Sequence, residues 1–390
     1  MSTWPLMENV ITFKDSQKLI NFIRTTKRYT QFTKVYEFEK AFSKWQGCAH
    51  SVYVNSGSSA NLILVSAAKE MYKWKNGDEI IVPSVTWTTT VTPVIQLGLK
   101  PIFLDINLTD LSFDYKKIKN LITKKTKGIF LAHLLGFPAA VNKIKKIIKN
   151  KNIVILEDCC ETQGGTINGV KVGNHGLAGT FSFYWGHHMT TVEGGMICTN
   201  NRSLYELLLL KRSHGLAREL PKESHERIKK KYPNIDFNFL FLTDGFNVRN
   251  TELQAVLGIE QLKKIDKFIK IRNRNYELFL NECKKYKTHL ITMDKLGISS
   301  FVLPFFFKLK KQKNYFQEII KNSGIESRPL ISGNLLRQPF LSNYNKNNEF
   351  VNAEFIHENA FYIGNNQFVN KDRLKKLFKL MKNFFLKKNA

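Results

Sequence analysis

The chain is expected to be an α/β protein, with a mostly parallel sheet in an α/β/α large domain and a smaller C-terminal α+β domain. Two patterns carry this expectation. Between about residues 50 and 200, short apolar runs alternate with helical periodicity, the order that builds a parallel sheet covered on both faces. A long helical stretch and a compact region of mixed strand and helix signals follow. At 390 residues the chain is longer than one core usually serves, so a second unit is expected.

Taken in order, "SVYV", "EIIVP", "KPIFLDI", "GIFLAH" and "IVILED" are too apolar for half-exposed strands and read as buried ones. Segments 59–74, 115–124 and 141–150 between them carry helical spacing. "SFYWGHHMTTVEGGM", residues 182–196, reads as a strand end running into a Gly-Gly turn. The pattern from Thr251 to Lys285 reads as one connecting helix, and about 300–390 as the small domain, which places the division at 1–250 and 251–390. "NYNKNNEF", 343–350, reads as a surface loop.

Composition narrows the class. With 43% hydrophobic and 24% charged residues, the chain is an ordinary globular one. No apolar run reaches the roughly 18 residues that span a bilayer. The start "MSTWPLMENVITF" lacks the order of a signal peptide, so a soluble, cytoplasmic protein without a membrane partner is expected. Cys48, Cys159, Cys160, Cys198 and Cys283 are scattered and odd in number, which fits reduced thiols rather than disulfides or a metal site. The net charge of +28 raises a nucleic-acid reading. Runs such as "KKIKNLITKKTK" and "NKIKKIIKNKN" oppose it, because they put lysine on one face of helices whose other face is apolar. No nucleic-acid partner is expected, and the basic field favours an anionic substrate such as a sugar nucleotide.

Three segments could carry chemistry. In "VNSGSSANL" a strand ends at Asn55, Gly57 permits a tight turn and a helix begins near Ser59, which makes either a phosphate seat or a simple N-cap. "ILEDCCE" ends a strand with Glu157, Asp158 and Glu161. A carboxylate there can pair with a protonated pyridine nitrogen, or it can cap a helix. The third is the segment with the His187-His188 pair.

In this order and spacing, and with "GDEIIVPSVTWTTTVTPVIQLGLKPIFLDI", "GFNVRNTELQAVLGIEQLKKI" and "GIESRPLISGNLLRQPF", the chain resembles the sugar-modifying aminotransferase family of fold-type I pyridoxal phosphate (PLP) enzymes over nearly its whole length. The resemblance implies that Gly57, Ser58 and Ser182 hold the cofactor phosphate, and that Asn247 reaches it from a partner subunit of a homodimer with shared sites. It implies Trp87 over the pyridine face, Asp158 on the ring nitrogen, and Glu161 near the ring hydroxyl, where most of the aminotransferases have glutamine.

The family's Schiff-base lysine stands six residues before the glutamate of "EGG", here Glu193, and that position is His187. No lysine lies between Lys171 and Lys211, and Lys171 falls in a turn-like "NGVKVG". Imidazole cannot form the lysine's imine with PLP. Family members with histidine there remove the oxygen at carbon 3 of a keto sugar. One branch of them holds an iron–sulfur cluster on cysteines in the region matching 199–240, where this chain has none, so no such cluster is expected. The resemblance thus implies a nucleotide-sugar 3-dehydratase (hydro-lyase) acting on a GDP-4-keto-6-deoxy sugar, with alternatives in another nucleotide sugar (a CDP-hexose or a heptose) or an aminotransferase relative of altered chemistry. L-glutamate would convert PLP to pyridoxamine phosphate (PMP), and ammonia would be released.

His187 is expected to be the catalytic base, matched in pKa to neutral pH, with His188 a possible second player. His214, Arg218, Arg249 and Arg328 are candidates for binding the diphosphate and the glutamate carboxylate. Asn334 and Arg337 match the family pattern without a clear role, and "SSFVLPFFF", 299–307, departs from it.

Overall fold

The computed structural model describes residues 4–149, 151–344 and 350–386. Among the described residues, thirteen strands form three sheets: β1 (His50–Val54), β2 (Glu79–Pro83), β3 (Lys100–Leu104), β4 (Thr126–Ala132), β5 (Val154–Asp158), β6 (Thr166–Ile167), β7 (Val170–Lys171), β8 (Ala178–Ser182), β9 (Gly195–Thr199), β10 (Leu290–Ile291), β11 (Val302–Phe307), β12 (Ser327–Pro329) and β13 (Ala360–Gly364). The large sheet has the order β1-β9-β8-β5-β4-β2-β3. Only β9 runs against its neighbours, so the expected mostly parallel sheet is what forms. β10, β11, β13 and β12 make a small antiparallel sheet, and β6 with β7 a hairpin.

The helices form where apolar residues recur at helical spacing. In Val141–Ile148, Val141, Ile144 and Ile148 are buried while Lys143, Lys145 and Lys146 face solvent, the solvated basic face read from the sequence. Gly57–Met71 is capped by Ser56, whose side chain accepts from the Ser59 amide, and it buries Ala60, Ile63, Leu64 and Ala67 beneath the sheet. Segment 115–124 is helical only at Ile118–Leu121. The single helix expected from Thr251 to Lys285 is two, Glu252–Leu262 and Ile265–Lys284. The chain turns at Lys264, whose ammonium lies 2.5 Å from the buried Asp15 carboxylate, and the ion pair outweighs one continuous helix. Residues 345–349 of the expected surface loop lie outside the described residues.

The N-terminal segment, grouped in the sequence reading with the large domain, sends Trp4 into the core of the small sheet. Trp4 is 1% exposed, bridges Ile325, and donates its indole N–H to the Gly364 carbonyl at 3.0 Å. Leu6 and Met7 follow it across the carboxyl edge of the large sheet.

At that edge, the end of β5 is anchored by Glu157. Its buried carboxylate accepts from the amides of Gly173 (2.9 Å), His175 (2.8 Å) and Gly176 (2.5 Å) and lies 3.0 Å from His133 Nε2. Burial pushes its pKa up, but His133 and the amides outweigh burial and hold it below the usual carboxylate value.

Glu157→Gln places an NH2 donor among those amide donors. The variant is expected to lose roughly 2–4 kcal/mol of unfolding free energy at neutral pH. Since the folded-state pKa is the lower one, the stabilisation is complete above the unfolded value and fades as pH falls through the folded one. Urea titrations should therefore show wild type and variant converging below about pH 4.

Candidate active site

Strand ends and the loops behind them converge on a cleft of about 610 Å³ at the carboxyl edge, where ligands of such sheets collect. Gly57, Ser58, Trp87, Asp158, Glu161, Ser182, His187 and Arg328 all line it. Among the described residues that line it, none is a lysine.

One wall is the N-terminus of helix Gly57–Met71. The Gly57 and Ser58 amides are first-turn donors with no carbonyl of their own helix to bond, so they can bind an anion. The seat needs glycine: a Cβ at Gly57 would stand 2.6 Å from Ser182 Cβ and 3.1 Å from Cys160 Sγ. Ser182, ending β8, is thereby held against the helix.

Asp158 faces the cleft because successive strand residues alternate sides and Glu157 faces away. Its Oδ2 accepts from Asn61 Nδ2 (2.8 Å) and Thr90 Oγ1 (2.9 Å), and its Oδ1 from the Cys160 amide (3.1 Å). Asn61 stands one helical turn after Gly57, so one helix builds the anion seat and orients the carboxylate. Glu161 accepts from the Leu135 amide at 2.8 Å. Burial, helped by nearby Asp158, pushes its pKa up to about 7 despite that bond, so protonated and ionised forms coexist at neutral pH. Trp87 is 57% exposed at the mouth.

The two histidines separate. His188 is fully buried, off the cleft, with Nε2 3.0 Å from the Ser299 carbonyl and 3.1 Å from its hydroxyl. It is a structural pin between the β8–β9 connection and the loop before β11. His187 lines the cleft, stacks on Phe301 with centroids 5.3 Å apart and planes 20° apart, and has a buried Nδ1 with no hydrogen-bond partner. The turn is fixed by the Phe183 amide on the Gly194 carbonyl (2.8 Å) and the Tyr53 hydroxyl on Thr191 (2.8 Å). A His187 pKa near neutrality, expected from the sequence, is not what the protein alone supplies. Burial first, and then the Arg272 guanidinium, pull it down to about 4, against a partial lift from the Cys160 backbone. The imidazole is therefore neutral and basic in form throughout the physiological range.

The other candidates are spread out. Arg328, on β12, is at the cleft beside Glu326, 3.5 Å away. His214, Arg218, Asn247 and Arg249 do not line this chain's cleft. Asn247 pairs with Ser213 and Arg249 with Val54 through their backbones, His214 donates its amide to the Phe246 carbonyl, and Arg218 reaches the Asn238 carbonyl at 3.0 Å. Asn334 and Arg337 are both engaged by Glu354. Lys171 lies over the Trp45 ring, 3.8 Å from its centroid. The buried group His133, Glu157 and Cys159 has metal-type donors, but His133 Nδ1 accepts from the Ala139 amide (2.8 Å) and Nε2 faces Glu157, so no imidazole lone pair is left. Asn61, Thr90, Tyr184, Arg272, Phe301 and Tyr362 were not singled out in the sequence. For Arg272 a signal existed, a lone arginine in the apolar row Ile265, Phe268, Tyr276, Phe279 of its helix.

The chain belongs to the DegT/DnrJ/EryC1/StrS aminotransferase family, whose model matches residues 11–382. It is 36% identical to the GDP-4-keto-6-deoxy-D-mannose 3-dehydratase of Escherichia coli O55:H7, over 98% of this chain and 100% of that protein. Among solved structures it resembles a histidine-to-asparagine mutant of GDP-4-keto-6-deoxymannose-3-dehydratase with bound GDP-perosamine, at TM-score 0.90 and 35% identity over 97% of this chain and 100% of the other. It likewise resembles that enzyme with a trapped PLP-glutamate geminal diamine, at TM-score 0.89 and 34% identity over 97% and 100%. The fold is that of the fold-type I PLP enzymes. The residues of the cleft fit that cofactor: an anion seat that a single Cβ would fill, a carboxylate opposite it, and an aromatic ring at the mouth.

Gly57→Ala should weaken PLP binding by about tenfold or more, as the methyl group forces Ser182 away from the seat. Absorbance titration with PLP checks this, and unchanged affinity would contradict the assignment of the seat.

Proposed function

We propose that this chain is a PLP- and PMP-dependent nucleotide-sugar 3-dehydratase, which removes the carbon-3 hydroxyl of a GDP-4-keto-6-deoxy sugar, uses glutamate as amino donor and releases ammonia. The observation that carries this is a neutral imidazole, His187, at the family's lysine position in a cleft that no lysine lines among the described residues.

Bound as PMP, the cofactor supplies an amine for the sugar ketone and an electron sink for the departing hydroxyl. The amides of Gly57 and Ser58, with Ser182, hold its phosphate. Asp158, its position set by Asn61 and Thr90, keeps a proton on the ring nitrogen, and Trp87 covers the ring. Glu161, near the ring hydroxyl, can give or take a proton there at neutral pH. His187 accepts and returns protons at the reacting carbons through its exposed edge, while Phe301 covers one face. Loss of the hydroxyl would leave the nitrogen on the sugar as an enamine; with no lysine among the described lining residues to reclaim it, the enamine would tautomerise to an imine that water hydrolyses to the ketone and ammonia. Arg328 offers a guanidinium to an anionic group of substrate or glutamate.

A homodimer is part of this reading. Asn247, His214, Arg218 and Arg249 lie off their own cleft, and the reading assigns Asn247 to the partner's phosphate seat. Exposed Tyr29, Phe32, Tyr36, Phe239 and Phe241 offer apolar surface for such pairing. The division into a cofactor-binding unit, 1–250, and a small unit, 251–390, belongs to the same proposal, with Trp4 crossing from the first into the second. So does a cytoplasmic setting, supported by five free thiols. Among the described residues no helix is long and apolar enough to cross a membrane.

Purified protein incubated with PLP, glutamate and GDP-4-keto-6-deoxymannose should yield a sugar one oxygen lighter together with free ammonia, by mass analysis and ammonia assay. His187→Lys should abolish the loss of oxygen. A sugar that gains an amine would overturn the proposal. Unchanged sugar with glutamate consumed would move the substrate to a CDP-hexose or a heptose.

A further inference from the structure

We propose that Arg272 is a positioning residue for His187: its buried guanidinium ties the turn that carries the imidazole to the segment leading into β11 that carries Phe301, and so fixes the face that His187 presents to the cleft. The inference rests on the reading of His187 as the proton acceptor.

Arg272 is 1% exposed and projects from the inner face of helix Ile265–Lys284. Nη1 donates to the Phe301 carbonyl at 2.9 Å and Nη2 to the His187 carbonyl at 3.3 Å, with Met7 Sδ 3.8 Å away. Nε has no partner. Among the described residues no carboxylate pairs with it. A guanidinium without a counter-charge is costly to bury, and this one remains because two carbonyls need it together. Both belong to residues whose rings stack: Phe301 lies over His187, and the stacking depends on the two backbones being held at one distance. Asn273 and Asn365 brace the same segment, through the Ser300 amide (2.8 Å) and hydroxyl (2.9 Å), and Asn365 also donates to the Arg272 carbonyl (2.9 Å). The helix thus sets the register between the His187 turn and the small sheet.

The charge has a second effect. Burial lowers the Arg272 pKa to about 9, so it remains positive at neutral pH, and after burial it is the next cause of the depressed His187 pKa. The other titratable groups around His187 are Tyr184 and His188 from its own turn, Cys160 and Glu161 from the loop after β5, and His133, Asp158, Glu193, Glu326, Arg328 and Tyr362 from the remaining cleft walls. Arg272 is the cation that touches the turn itself.

The titration arm uses full-length cofactor-free protein with 15N-labelled histidine, so that it reads out whether or not the dehydration assay succeeds; the kcat arm is read once that assay has succeeded. In wild type, the His187 signal, assigned by its loss in His187→Gln, should stay neutral from about pH 8 to about pH 5. In Arg272→Met, a substitution of similar length without charge, the midpoint should rise by about one unit, a tenfold gain in protonated imidazole at a given acidic pH. Arg272→Lys keeps the charge but cannot span both carbonyls. It should keep the low midpoint, lower kcat by about tenfold or more and leave PLP affinity unchanged. A wild-type midpoint in Arg272→Met, or wild-type kcat in Arg272→Lys, would overturn the proposal. If Arg272→Met does not fold, Arg272→Lys alone decides it.

Discussion

Because successive residues of a strand face opposite sides, the last two of β5 send carboxylates in opposite directions, and the cleft depends on both. Glu157 takes three amides and an imidazole on the packed side, which fixes the loop at 173–176 against the strand end. Asp158 then reaches the cleft side at a defined position, where Asn61 and Thr90 complete its hydrogen bonds. The anion seat follows from the same packing, since Asn61 belongs to the helix whose first turn is Gly57. An anion-binding helix end and an oriented carboxylate are thus two ends of one rigid assembly, which is what a ring with a phosphate tail requires.

What the cleft does with such a ring depends on the turn between β8 and β9. A lysine there would compete for the cofactor and recapture an amine. An imidazole can do neither, and His187 is further kept from carrying a charge by burial and by Arg272. The loop leading into the second sheet closes over this turn: Phe301 covers His187, and Ser299 holds His188. The pair of histidines therefore divides into one pin and one group that faces the cleft, a division set by which side of the turn each residue faces.

Much of this was legible in the sequence where local pattern and chemistry coincide. The buried strands, Gly57, Asp158 and Ser182 all sit at strand ends that the apolar runs mark out, and the lysine-to-histidine change is visible from the spacing to Glu193. The break at Lys264 was not legible, because it answers to Asp15, some 250 residues away in the chain. Trp4 was missed for the same reason: its partners, Ile325 and Gly364, come from the far end. The value of the His187 pKa was misjudged because it reflects burial and Arg272, neither of which local spacing encodes. Arg218 and His214 matched a need for cations, but in this chain their surroundings are their own loop backbones.

An imidazole at position 187, with no lysine among the described residues that line the cleft, leaves the cofactor without a covalent anchor. The most direct test is to load the protein with PLP, remove the excess, treat it with borohydride, and measure the intact mass and the peptide covering residues 182–196. An unmodified chain is expected, with the cofactor recovered in free form. A stoichiometric reduced adduct on any lysine would show that another residue has taken over the missing role, and would contradict it.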